Sequence, residues 1–195
     1  MQVVVWGDFQ EPFTKKVDES IRAFMSGRSD MQYLFREYPI NKECNPSTQL
    51  TKHDFACRAA KAAEAAGMLG GLDAYKAMHE WLFAHQDELK AVDGEAAFDA
   101  KLRDAAPELG LLPNALIAQM NSPEVAAAIK EDCMAGKSLG LTSIPFVFVN
   151  GRHVPRWFKE GENLLPRIYE VALKEDPAEV MRRSNKEAAF RGESR

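Results

Sequence analysis

Asp8-Phe9-Gln10-Glu11-Pro12-Phe13-Thr14-Lys15-Lys16 follows an apolar run, Gln2-Val3-Val4-Val5-Trp6, and leads into a segment where Val17, Ile21, Phe24 and Met25 recur at helical spacing. The apolar run reads as a buried strand and the segment from Pro12 as a helix. Gly7 to Glu11 is therefore a strand-to-helix loop. A helix start of this kind presents free N–H groups and the positive end of the helix dipole, a setting that stabilises an anion.

Downstream, Met31 to Tyr38 alternates polar with apolar or aromatic residues and predicts a second strand ending at Pro39. Strand, helix, strand opens a parallel sheet. Thr51 or Lys52 through Ala66 predicts an alanine-rich helix stopped by Gly67, and Leu72 to Leu89 a second one packed on it as a hairpin. Glu95 to Ala106 predicts a third helix of this set and Asn114 to Met120 a short fourth. Ser122-Pro123-Glu124 starts a fifth that runs to about Leu139. Phe146 to Val149 reads as a buried strand, Asn150-Gly151 as a hairpin turn, and Arg152-His153-Val154 as the returning strand. Leu164, Leu165, Ile168, Tyr169 and Ala172 make one more amphipathic helix. The fold class is α/β, with a mixed sheet of about four strands and an inserted helical lobe. The expected organisation is one domain over 1–175 with the insertion at about 51–140, then a charged tail or loosely packed helix over 176–195.

Asp8, Phe9, Pro12, Phe13, Lys15 and Lys16 together resemble the active-site motif of the DsbA-like thioredoxin-fold family, which reads roughly Asp-aromatic-x-Cys-Pro-aromatic-Cys-Lys-Lys. Thr142-Ser143-Ile144-Pro145 before the buried strand resembles that family's cis-proline loop. Cys44-Asn45-Pro46 and the run from His53 to Ala66 resemble the entry to its helical lobe. The resemblance covers roughly Gln2 to Trp157. It implies a thioredoxin-like fold and places Glu11 and Thr14 where the two redox cysteines of the family stand.

In the family, a helix start of this type stabilises the first thiolate of the pair. A carboxylate at Glu11 suits the dipole but cannot exchange with a disulfide. Glu11, Pro12, Phe13 and Thr14 are therefore expected to form a degenerate site, with Glu11 a helix-start carboxylate, a general-base or ligand-binding role for it being the alternative, and Thr14 structural. The resemblance implies a cis bond at Pro145 and pairing of the Ile144 main chain with an extended peptide, which needs no thiol. A purely structural proline at the sheet edge is the equal alternative. Three readings stay open for Cys44 and Cys57: a loop-closing disulfide, two unrelated buried thiols, or a relocated redox pair. The resemblance favours the bridge, since active members carry these cysteines beside their catalytic pair. Cys133 falls on the apolar face of its helix and reads as an inert core thiol. His53 is expected to orient the Cys44 to Cys57 segment, and His79 and His85 to be ordinary helix residues. His153, Arg156, Trp157, Phe158 and Lys159 either border the motif groove or form a solvated loop around a packed tryptophan.

The formal net charge of −4 and the mixing of basic with acidic residues argue against nucleic acid. No apolar stretch suggests direct membrane insertion. Three cysteines without paired spacing give no zinc motif, and no cofactor motif is present. The function expected is a peptide- or protein-binding or structural module without dithiol exchange, whose partner is an extended peptide or an adjacent domain of a larger parent protein. Two alternatives are carried: an oxidoreductase working through Cys44 and Cys57, and an enzyme similar to the kappa-class glutathione transferases, DsbA-like relatives with serine at the site. A Cys44 to Cys57 bridge would suit an extracytoplasmic location, with a signal or preceding segment outside this chain.

Overall fold

A computed structural model describes residues 1–190, with side chains described through Arg183. The order is β1 (Gln2–Gly7), α1 (Pro12–Met25), β2 (Gln32–Glu37), α2 (Ala56–Ala84), α3 (Gln86–Lys90), α4 (Gly94–Ala105), α5 (Pro113–Met120), α6 (Pro123–Ser138), β3 (Phe146–Val149), β4 (Arg152–His153), β5 (Phe158–Lys159), β6 (Glu162–Asn163), α7 (Leu165–Ala172) and α8 (Pro177–Phe190). Four strands form a mixed sheet in the order β2-β1-β3-β4, with β1 parallel to β2 and antiparallel to β3. This is a thioredoxin-like DsbA fold, with the helices α2 to α6 inserted between β2 and β3.

Side chains alternate across the strands and build two apolar layers. Val4, Trp6, Phe146 and Phe148 face the inserted helices, where they meet Leu82, Phe83, Ile129 and Cys133. Val3, Val5, Val147 and Val149 face α1 and α7, where they meet Val17, Ile21 and Leu165. Trp6 also donates from Nε1 to the Asp132 carbonyl at 2.9 Å. Gly136 of α6 leaves room for this indole: a Cβ there would lie 3.0 Å from it.

The inserted lobe departs from expectation in its first helix. It begins at Ala56 rather than Thr51 or Lys52, because Thr51 bridges back to Asn41 in an extended conformation. Gly67 does not stop it. The break falls at Gly71, whose φ of 73° lies in the left-handed region that glycine adopts without penalty. A Cβ on Gly67 would sit 3.3 Å from that of Tyr75. Eight residues of straight helix would separate them by about 12 Å, so the chain folds back on itself at Gly71 and Tyr75 packs onto Gly67. The remaining helices begin where expected within a residue or two, and Ser122 caps α6 by accepting from Val125 N.

The short hairpin of β5 and β6 has no counterpart in the sequence reading. In the tail, Arg183 of α8 donates from Nε to the Asn150 carbonyl at 2.9 Å and pairs with Glu175 at 2.9 Å. Residues 191–195 of the expected tail lie outside the described residues. No helix among the described residues is long and apolar enough to cross a membrane.

Candidate functional site

The strand register brings the two motif loops together. Trp6 pairs with Phe146 across β1 and β3, and Gly7 pairs with Glu37 across β1 and β2. Continuing the antiparallel register by one residue sets Pro145 beside Gly7. The loop from Asp8 to Glu11 and the loop from Thr142 to Pro145 therefore leave the sheet side by side, and the end of β2 adjoins them. The carboxyl ends of strands are where open α/β sheets form sites.

Asp8 is buried and organises the first loop. Its Oδ1 accepts from Gln10 N at 2.8 Å; its Oδ2 accepts from Ile40 N at 2.8 Å and meets His53 Nδ1 at 2.7 Å. Gln10 accepts from Phe55 N at 2.8 Å, and Gln86 of α3 donates to the Phe9 carbonyl at 2.6 Å. The loop is thus gripped by the segment between β2 and α2 and by the inserted lobe. His53 orients that segment, as expected.

Glu11 is the N-cap of α1, in extended conformation, with Pro12 in the first helical turn. Its carboxylate accepts from Thr14 N and, at 2.9 Å, from the Thr14 hydroxyl. Thr14 is fully buried, and its methyl lies where a Cβ on Gly7 would come within 2.4 Å. A hydroxyl that is buried and already donating is not presented as a nucleophile. Phe13 is exposed and packs its ring 5.7 Å from that of Phe158, over which Lys16 also sits at 4.4 Å. Of the downstream group, Phe158 does border the motif helix. Trp157 is buried and donates to Ser20 of α1 at 2.8 Å, while Arg156 and Lys159 line a separate groove between β4 and α7.

The Ile144–Pro145 peptide is cis. Thr142 and Ser143 are exposed, Ile144 and Pro145 half-buried. Among the described residues no hydrogen bond uses the Ile144 N–H or carbonyl. This backbone is a free donor and acceptor at the rim of the site.

The expectation of a degenerate site, in a chain without a working cysteine pair, requires correction. Cys44 and Cys57 form a disulfide with their Cα atoms 5.8 Å apart, so one oxidised dithiol is present. It lies between β2 and the first turn of α2. The Asn41–Thr51 bridge folds the intervening segment back, which brings the two cysteines together. Cys57 is buried and Cys44 half-buried. Cys133 is free and buried, and burial pushes its thiol well up, as befits an inert core residue.

Two buried polar groups beside the site were missed by the sequence reading. In the first, Asp18 of α1 accepts from Tyr33 hydroxyl at 2.8 Å and Arg22 Nε at 2.7 Å and meets His79 Nε2 at 2.7 Å. Burial alone would raise the Asp18 pKa, but His79 and Arg22 outweigh it and hold it below the usual value. Burial also raises Tyr33 well above the ordinary phenol, with Asp18 adding to it. His79 is boxed by Phe9, Phe35 and Phe83 at ring distances of 4.8–5.2 Å. The Asp18–Arg22 spacing on an otherwise apolar helix face was the available signal.

The second group gathers Glu37 at the end of β2, Glu64 and Tyr75 of α2, Asp132 of α6, and Arg36 as the cation. Asp132 accepts from Arg36 at 3.0 Å and from Glu37 N at 2.9 Å. Burial lifts Asp132 to about 6; burial and then Asp132 lift Glu64 to about 7. Glu37 is likewise raised well above the ordinary carboxyl, by burial first and then by Glu64 and Asp132. No sequence signal marks this group, because its members come from three elements far apart in the chain. Among the described residues no set of three or more His, Cys, Asp or Glu is arranged to hold a metal ion.

Against known proteins, residues 2–165 match the family described as DSBA-like thioredoxin domain. A thioredoxin-like oxidoreductase from Silicibacter pomeroyi DSS-3 is 26% identical with a TM-score of 0.63, the match covering 90% of this chain and 87% of that one. BdbD from Bacillus subtilis shares the fold at a TM-score of 0.69 and 19% identity, over 89% and 88% of the two chains. The Na(+)/H(+) antiporter NhaA 1 of Salinispora arenicola is 30% identical over 150 residues, 77% of this chain but 20% of that protein. The chain thus spans about a fifth of the length of the curated relatives it matches. With the sheet order, the inserted helices and the paired motif loops, the match over residues 2–165 establishes that the chain belongs to the DSBA-like thioredoxin domain family.

Proposed function

We propose that this chain binds an extended polypeptide along the Pro145 loop, with Glu11 and Thr14 standing at the two cysteine positions of the family motif. The free N–H and carbonyl of Ile144, beside the capped start of α1, carry this reading. An extended strand added at Ile144 would satisfy both groups. Exposed Phe13, packed on Phe158, offers an apolar contact on the motif helix. Because the match covers only 20% of the relatives from Salinispora, the polypeptide partner is proposed to be a neighbouring domain of a longer protein. The disulfide supports an extracytoplasmic site of action.

The test is hydrogen exchange of the Ile144 amide with and without a permanently unfolded probe, carboxymethylated lactalbumin. Slowing of that amide on adding the probe is expected. Binding without any change at Ile144 would defeat the reading.

The oxidised pair with half-buried Cys44 favours a second reading, thiol-disulfide exchange through Cys44 and Cys57. It requires insulin-disulfide reduction by the intact chain that disappears in C44S/C57S. A strongly reducing potential, below about −300 mV, would mark the pair as a structural bridge instead. A glutathione-dependent activity would require a thermal shift with glutathione; Glu11 carries no hydroxyl, and the Thr14 hydroxyl is already donated to it.

A further inference from the structure

Between the edge strand β4 and α7 lies a groove of about 420 Å³, a volume within the range of small-molecule sites. It opens toward the far end of β3 from Pro145, since Val149 in its wall pairs with Val3 at the start of β1. Its floor is apolar: Val149, Val154, Leu164, Ile168, Val171 and Ala172. Val171 is 63% exposed, so apolar surface that would normally be covered stands open to solvent.

The rim is basic. Arg152, Arg156, Lys159 and Arg167 surround this floor with Glu175 as the one carboxylate, and Glu175 is taken by Arg152 at 3.3 Å and Arg183 at 2.9 Å. Among the described residues no carboxylate oxygen lies within 4 Å of the charged groups of Arg156, Lys159 or Arg167, although Glu162 stands opposite Lys159 across β5 and β6. A chain of net charge −4 has therefore concentrated, around an open apolar slot, three cations without an ion pair among the described residues. Such a focus raises the local concentration of anions.

We propose that this groove binds a single-chain amphiphilic anion, a long-chain aliphatic carboxylate, with its alkyl chain along Val154, Ile168 and Val171 and its head at the basic rim. Alkyl burial supplies the affinity and the rim sets the sign of the head group. A short carboxylate would lack the first, and a cationic amphiphile would meet repulsion from the second.

The test is titration calorimetry of the full chain with dodecanoate below its micellar concentration, with Trp157, adjacent to Arg156, as a fluorescence reporter. Saturable one-to-one binding is expected, tightening roughly fourfold per buried methylene from octanoate to dodecanoate. The surface variant R156E/R167E should weaken it at least tenfold while leaving the unfolding midpoint in place. Equal binding of dodecyltrimethylammonium, no saturable binding, or no effect of R156E/R167E would overturn the proposal. So would two other outcomes: capture only by phosphatidylglycerol vesicles, which assigns the face to a membrane, and binding gained only in a chain ending at Arg183, which assigns the groove to the chain's own C-terminal residues.

Discussion

Glu64 offers the sharpest test of the buried polar group at the end of β2. Its carboxyl titrates near 7 rather than at the ordinary 4.5, because burial disfavours the ion and Asp132 adds like charge; Arg36 opposes both without cancelling them. The folded-state value is raised, so the stabilising contribution of this group is fully present below pH 4.5 and is lost as pH rises through about 7. Each tenfold in proton affinity corresponds to about 1.4 kcal/mol. Ionising Glu64 in the fold at pH 8 therefore costs about 3 kcal/mol relative to the unfolded chain, by the same conversion.

Glu64→Gln removes the ionisation and keeps the shape. Near pH 4 the variant and parent should unfold at nearly the same temperature, since Glu64 is then neutral in the fold and largely neutral in the unfolded chain. At pH 8 the variant should be the more stable, by up to about 3 kcal/mol, or roughly 6–12 °C in Tm for a domain of this size. Thermal unfolding followed by circular dichroism at the two pH values reads this difference directly. A Tm difference independent of pH would refute the reasoning. A variant less stable than the parent at pH 8 would show that the attraction of the Arg36 charge for ionised Glu64 dominates instead.

Three further outcomes follow from specific contacts. Asp18→Asn leaves Arg22 and His79 without their carboxylate in a buried setting, and urea unfolding should show a loss of about 3 kcal/mol; less than 1 kcal/mol would mean that the network relaxes freely. Gly7→Ala places a Cβ 2.4 Å from the Thr14 methyl and 2.9 Å from the Phe35 ring, so it should destabilise by about 2 kcal/mol. Adding Thr14→Ser should recover part of that loss, and strict additivity of the two changes would refute the contact. Cys44→Ser with Cys57→Ser opens a loop closed across a sequence separation of 13 and should lower stability by about 3 kcal/mol, read as a lower urea midpoint at unchanged slope.

The centre of the sheet was legible because its two inner strands carry uninterrupted apolar runs: Val3 to Trp6 and Phe146 to Val149 are buried on both faces, and no helical pattern competes with them. The fold reversal inside α2 was displaced by four residues because Gly67 and Gly71 look alike in sequence. What separates them is tertiary: Tyr75 packs on Gly67 and keeps it helical, while Gly71 is left open to a positive φ. The acidic cluster stayed hidden for a different reason. Burial of Glu37, Glu64 and Asp132 depends on the approach of β2, α2 and α6, and each residue alone resembles a solvent-facing carboxylate. The β5–β6 hairpin, two residues a strand, is too short for periodicity to register.

The covalent link and the motif loop form one mechanical unit. Of the three groups that meet the Asp8 carboxylate, only Gln10 N comes from its own loop; Ile40 N and His53 come from the segment that the Cys44–Cys57 bond closes. Phe55 N, two residues before Cys57, holds Gln10 in the same way. The shape of the strand-to-helix loop is therefore set from outside it, by a stapled segment, and not by the side chains at positions 11 and 14. Glu11 then satisfies the helix start as an N-cap, which any anion placed there by this loop would also do. Because that staple is the same Cys44–Cys57 bond a redox role would use, opening it would loosen the segment that holds Asp8 and Gln10, so comparing binding in the oxidised chain and in C44S/C57S separates the two roles.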